Sequence, residues 1–241
     1  MTRAVWLLAI AACSKGTATA TIDAAPNSDG KPIDTADGRY EHRIMIDGVD
    51  DFLSMEQFPT TSTGYDARVT WDADNIYVGY SGADLAPQAA DTATKWLFVY
   101  IDVDPGMPNG ALVDETYNTQ GATFPAGFRA DFYVRWKCDG TLLTLKQFNG
   151  SAWVDHTVVP PASLGGSFVE IAVPRATLGA STTMSVVTWM INEKANVESS
   201  YAGLYTGNFT DGYAANLALT KFLKIDYTAP RGPNDAANQG P

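Results

Sequence analysis

The chain has 241 residues, 45% of them hydrophobic and 18% charged, which suits one globular domain of ordinary core size with unstructured ends. Its formal net charge of -11 and pI of about 4.5 argue against nucleic acid as a partner, because such a surface repels phosphate backbones; sugars and divalent cations remain compatible with it. Two cysteines, Cys13 and Cys138, are too few for a disulfide framework.

The first residues read as a targeting segment. "MTRAVWLLAIAACSKG" sets Arg3 ahead of an apolar run from Ala4 to Ala12, followed by Cys13. Ile10-Ala11-Ala12-Cys13 resembles the lipobox of bacterial lipoproteins. That resemblance implies a signal peptide over residues 1–12, lipidation at Cys13 and a lipid anchor in the bacterial cell envelope, at the outer membrane or cell surface. An ordinary secretory signal or a short buried helix is the alternative. The run is far shorter than the ~20 residues that cross a bilayer as a helix. Residues 13–39, rich in Ala, Thr, Asp, Gly, Pro and Ser, are expected to form a flexible tether, and 229–241, "APRGPNDAANQGP", a disordered tail. The folded domain is then 40–228.

Within that domain the pattern is of period two. "DARVTWD" puts Ala67, Val69 and Trp71 on one face, and after the turn Ala73-Asp74-Asn75 comes "NIYVGY", so the two runs predict a hairpin. "LFVYI" is apolar on both faces, as a central strand would be. "RADFYVRWK" alternates Ala130, Phe132, Val134 and Trp136 with Arg129, Asp131, Tyr133, Arg135 and Lys137. "TLLTLKQF" and "AWVDHTVV" flank Asn149-Gly150, a second hairpin. "SFVEIAV", "MSVVTWMI" and "LTKFLKIDY" complete the strands, and "VPRATLG" has room for one short helical turn after Pro174. Short strands joined by Gly, Pro, Asn and Asp turns predict an all-β protein, a single antiparallel β-sandwich of jelly-roll or immunoglobulin-like type. Cys138, in "WKCDGTL", is expected to act as a small half-buried hydrophobe at a strand end.

Several segments, taken in order, resemble family-9 carbohydrate-binding modules, within the DOMON-like β-sandwich superfamily. "IMIDGVDDFLSMEQF" is similar to that family's opening strand and turn, although Phe52-Leu53 stands where the family often has tryptophan. "ARVTWDADNIYVGYSGAD" resembles its Trp-Asp hairpin, "LFVYIDVDPG" its central strand, and "RADFYVRW" and "FVEIAVPRATLG" two later segments. The resemblance covers the whole folded region. It implies a non-catalytic domain that captures a polysaccharide or oligosaccharide, together with a structural Ca²⁺.

Sugar capture needs flat aromatic rings with hydrogen-bonding groups beside them. Parity assigns Trp71 and Trp136 to the core and leaves Trp96 open between core and surface. Trp153, after the Asn-Gly turn, and Trp189, before the polar "NEKANVESSY" loop, are the expected stacking platforms. Asn192 and Glu193 would supply hydrogen bonds, and Tyr201, Tyr205 and Tyr213 lie in a long Gly/Asn/Ser/Tyr-rich loop of the kind that carries recognition. Asp102, Asp104 and Asn109, on one loop, are the expected Ca²⁺ ligands, with plain turn hydrogen bonding as the alternative. The superfamily also contains haem-binding electron-transfer domains. His42 and His156 with Met107 or Met190 would be the ligands in that alternative, but both histidines are expected to face solvent, so haem is not favoured. A structural or protein-interaction sandwich is the third reading. No nucleophile elbow, phosphate loop or zinc spacing is present, and no enzyme activity is expected.

Overall fold

The computed structural model describes residues 38–241. The signal peptide, Cys13 and nearly all of the tether lie outside the described residues. The chain lays down β1 (Gln57–Pro59), β2 (Asp66–Trp71) and β3 (Asn75–Ser81), then crosses to a second sheet with β4 (Lys95–Asp102). After the short β5 (Ala122–Thr123) come β6 (Phe132–Lys137), β7 (Leu143–Phe148) and β8 (Trp153–Asp155). It returns as β9 (Ala162–Gly165) and β10 (Phe168–Pro174), turns once through α1 (Arg175–Leu178), and crosses back as β11 (Thr183–Asn192) and β12 (Ser199–Tyr201). β13 (Leu217–Ala218) and β14 (Leu223–Asp226) follow. The first sheet runs β1-β2-β3-β10-β9 and the second β12-β11-β4-β6-β7-β8, with β14 paired to β11. All these pairings are antiparallel; β5 and β13 form a separate parallel pair. The protein is an antiparallel β-sandwich, with both predicted hairpins in place as β2–β3 and β7–β8.

Alternation decides which side chains meet between the sheets. Val69 and Trp71 from β2, Leu97, Val99 and Ile101 from β4, Val134 and Trp136 from β6 and Met190 from β11 fill one continuous core. Trp71 is sealed edge-on by Tyr40 and Tyr227, with centroids at 5.4 and 6.2 Å. Cys138 is buried in the same core.

Both sheets are also covered on their outer faces, so their strands are buried on both sides. Residues 40–56 lie over the first sheet, where Ile44 and Phe52 pack on Tyr77, Phe168 and Ala172. A buried carboxylate locks this cover down: Glu56, fully inaccessible, accepts from Tyr40, from Thr70 Oγ1 at 2.6 Å and from the Leu53 amide at 2.5 Å. His42 Nδ1 lies 2.7 Å from the same carboxylate. Burial disfavours the imidazolium, but Glu56 outweighs it and the pKa of His42 is raised. Gly165 is required where the cover meets β9, since a Cβ there would stand 2.1 Å from the Gly48 carbonyl oxygen.

Two expectations are corrected here. Residues 229–241 are not a disordered tail: Gly240 donates to Phe222 at 2.7 Å, Gln239 bridges Leu223, and Asn238 is 3% exposed, bonded to the Gly232 carbonyl at 3.0 Å. Composition alone read this stretch as having nothing to bury, yet Gly240 lets it lie flat against Phe222 and Gly232 against Met55. The histidines do not stand free in solvent either. His42 is held by Glu56, and His156 packs edge-on to Phe132 and accepts from the Val158 amide at 3.1 Å. Met190 is sealed in the core between the sheets while Met107 is 53% exposed, so the proposed axial ligands have separate surroundings.

Candidate functional site

The outer face of the second sheet is an aromatic platform. Parity turns Trp96, Phe98 and Tyr100 of β4 outward, and register sets Trp189 beside Phe98 and Tyr133 beside Tyr100. Tyr100 stacks on Trp189 at 5.1 Å with 8° between planes and on Tyr133 at 4.6 Å, making one stripe across three strands. Such stacking adds about 0.5–1.5 kcal/mol per pair beyond the area buried.

One half of this platform is roofed. Ala122, Phe124 and Phe128, from the segment between β4 and β6, and Leu217, Leu219 and Phe222, from the segment before β14, lie over Phe98, Tyr100 and Trp189. The β5–β13 pair joins the two roof segments, and Asp114 Oδ1 accepts the Ala122 amide at 2.8 Å. Burial, reinforced by Glu115, pushes the Asp114 carboxyl up to about 7.

Toward β7 and β8 the cover thins into a more open half: Trp153 and Phe148 are half-buried there, Tyr117, also half-buried, flanks it from over Trp96 and Phe98 of β4, and Tyr133 beneath is fully buried. Trp153 stands edge-on to Tyr133 at 5.0 Å and to Tyr100 at 5.6 Å, and Tyr117 edge-on to Trp96 at 5.2 Å. Polar groups fringe these rings. Lys146 donates to both oxygens of Glu115 at 2.7 Å, and the Tyr133 hydroxyl donates to the same carboxylate. Burial and that carboxylate raise the Tyr133 phenol. Arg135 lies over the Trp96 and Tyr117 rings at 5.3 and 5.2 Å, and Lys137 over Trp96 at 5.4 Å.

The residues expected to bind sugar are divided by this arrangement. Trp153 and Glu193 reach the open half; the Glu193 carboxylate lies beside the Tyr117 hydroxyl and, after burial, contributes to raising that phenol. Trp189, 1% exposed, is a roofed core residue and not a stacking surface. Tyr205 is also buried, edge-on to Phe58 at 5.5 Å on the inner side. Tyr201 is half-buried there too, donating to Asp84 at 2.8 Å. Asn192 organises its own loop, accepting from the Lys194 amide at 3.0 Å and donating to the Val197 carbonyl at 3.1 Å. Trp96, left open by parity, is 5% exposed. Arg135, Lys146 and Glu115 were not singled out from the sequence; the polar side of "RADFYVRWK" was the signal for Arg135.

The acidic loop lies at the end of β4. Asp102, Asp104 and Asp131 bring carboxylate oxygens within 4.8 Å of one another. Asn109 touches the group only through Asp104, donating at 3.0 Å, so the third carboxylate is Asp131 from the start of β6. Backbone amides hold the arrangement: Arg129 donates to Asp102 at 3.0 Å and Val103 to Asp131 at 2.9 Å. Burial, then the neighbouring carboxylates, pushes Asp102 up to about 6 and raises Asp131. Asp104 Oδ1 is buried without a hydrogen-bond partner among the described residues. Three crowded hard oxygens fit a Ca²⁺ ion, which tolerates irregular carboxylate geometry. Elsewhere, a cleft of about 490 Å³ lined by Gly64, Ser81, Gly82 and small neighbours presents no aromatic or charged side chain.

No protein-family profile and no curated protein sequence matches the chain. Among solved structures it is similar to a family-9 carbohydrate-binding module from Caldicellulosiruptor kristjanssonii in complex with cellotriose. That match has 14% identity and a TM-score of 0.42, over 75% of this chain and 91% of the other. A family-9 carbohydrate-binding module from the same organism in complex with glucose gives 14% identity and a TM-score of 0.42, over 81% of this chain and 96% of the other.

Proposed function

We propose that the protein is a non-catalytic carbohydrate-binding domain whose site is the open half of the platform on the second sheet. The observation that carries this reading is Trp153. Its half-exposed ring is braced edge-on by Tyr133 and Tyr100, themselves stacked on the rest of the platform. A ring held this way offers a flat face to the C–H side of a pyranose with little side-chain entropy left to lose. The Lys146–Glu115 pair, Arg135 and Glu193 supply the charged donors and acceptors that sugar hydroxyls require. Affinity electrophoresis through gels containing polysaccharides tests this: retardation is expected for the parent and is lost in Trp153→Ala. A Trp153→Ala variant retarded as strongly as the parent on every gel overturns the assignment.

Asp102, Asp104 and Asp131 would hold a structural Ca²⁺, which would neutralise the crowded carboxylates and order the loop after β4. The lipobox-like sequence supports a lipid anchor at Cys13 and a place in the bacterial cell envelope. Metabolic labelling with a radiolabelled fatty acid, present in the parent and absent in Cys13→Ala, tests that part.

A further inference from the structure

Arg135 is set apart from the other cations of the open face. Lys146 is matched by Glu115 at 2.7 Å and Asp155 at 3.9 Å, and Lys137 by Asp139 at 3.4 Å. Arg135 forms no ion pair with any described residue; its guanidinium is held by the rings of Trp96 and Tyr117 alone. Its buried Nε has no hydrogen-bond partner among the described residues, and neither does the buried hydroxyl of Thr144, its cross-strand neighbour. An arginine has five N–H donors in a planar fork, and cation–π contact satisfies none of them along the ring plane. Aromatic faces fix its orientation, and with Nε buried the terminal N–H groups are the donors left for a planar or tetrahedral oxyanion. In a chain of net charge -11, a cation on a candidate ligand face that forms no ion pair with any described carboxylate is a selective feature.

We infer that Arg135 reads an acidic substituent on the bound saccharide, the carboxylate of a uronic acid or a sulfate half-ester, so that the ligand is an anionic glycan. This rests on the carbohydrate-binding reading of the same face. Trp153 would stack a sugar ring near Tyr133, and Arg135 lies two residues further along β6, about 7 Å away by strand rise. That offset places the charge reader beside the stacking platform and not beneath it.

Matched probes test the inference by isothermal titration: oligogalacturonate against its methyl ester, and a sulfated galactan oligosaccharide against its desulfated form. At least a tenfold preference for the charged member of one pair is expected, and which pair shows it identifies the oxyanion. The preference should shrink at least fivefold in Arg135→Gln and at 0.5 M salt, because the charged member loses more affinity than the neutral one. Equal binding of charged and neutral members, or a preference that survives Arg135→Gln in a variant with the parent's melting temperature, overturns the inference and leaves the carbohydrate reading standing. Absence of binding to all four probes, and to neutral polysaccharide gels, removes both. If Arg135→Gln fails to fold, Arg135→Lys serves instead: it keeps the charge but loses the fork, and an undiminished preference would count against bidentate reading.

Discussion

The two halves of the platform on the second sheet share their strands and chemistry but not their fate. On the β11 and β4 side, Trp189 and Phe98 lie under Phe124, Phe128 and Phe222. On the β6 to β8 side, Trp153 and Phe148 keep part of their rings in solvent. An aromatic outer face is therefore not itself a binding site; whether it stabilises the fold or meets a ligand depends on which loops cross it. The roofed half should govern stability, and the open half recognition.

The largest expected effect lies under the roof. Trp189→Ala should lower unfolding free energy by ~3–5 kcal/mol, from lost burial plus the cavity left behind, read as a fall in the urea midpoint. Phe128→Ala, which removes a roof ring instead, should fall in the same range. Trp153→Ala should reverse the pattern, weakening glycan binding at least tenfold while costing less than about 2 kcal/mol of stability. If Trp153→Ala and Trp189→Ala were equally destabilising, the distinction between the halves would collapse.

Ion removal should come next. If Ca²⁺ ties Asp102 and Asp104 at the end of β4 to Asp131 just before β6, EDTA should lower the melting temperature by several degrees, and Asp131→Asn should abolish the difference. An unchanged melting curve with EDTA would leave the three carboxylates as turn chemistry.

A further effect concerns pH. Asp114 rises from an ordinary 3.8 to about 7 in the folded roof, chiefly through burial. Folding thus favours its protonated form. The stability it contributes is fully present below pH 3.8 and is lost as pH rises through 7. Amides of residues 111–124 should lose protection over that interval once intrinsic exchange is corrected for, and Asp114→Asn should flatten the dependence.

These contrasts also mark what could be read from the chain. Alternation and Asn149-Gly150 announced the hairpins because a strand's period and its turn are local properties. "LFVYI", apolar on both faces, announced a strand with no solvent side, which the roof over Phe98 and Tyr100 explains. Trp189 was misassigned because its polar neighbours in sequence do not touch it; what covers it comes from residues 122–128 and 217–222, joined through the β5–β13 pairing. Asp131 was missed as partner to Asp102 and Asp104 for a related reason: only the β4–β6 pairing brings it near. Arg135 could have been found, since it lies on the polar side of a strand whose other side is plainly core.

The first described residues also meet the segment that follows β14. The Tyr40 amide donates to Ala229 at 3.0 Å and His42 to Trp71 at 2.8 Å, while Glu56 grips both side chains from beneath. In mechanical terms this is a shear clamp. A pull on the chain from its N-terminal side would load several hydrogen bonds together, spread over β2 and the returning C-terminal segment, before any strand could peel. If the proposed anchor at Cys13 holds, a domain drawn by a ligand against it would meet its greatest resistance at this junction, and replacing Glu56 should lower the force at which it yields.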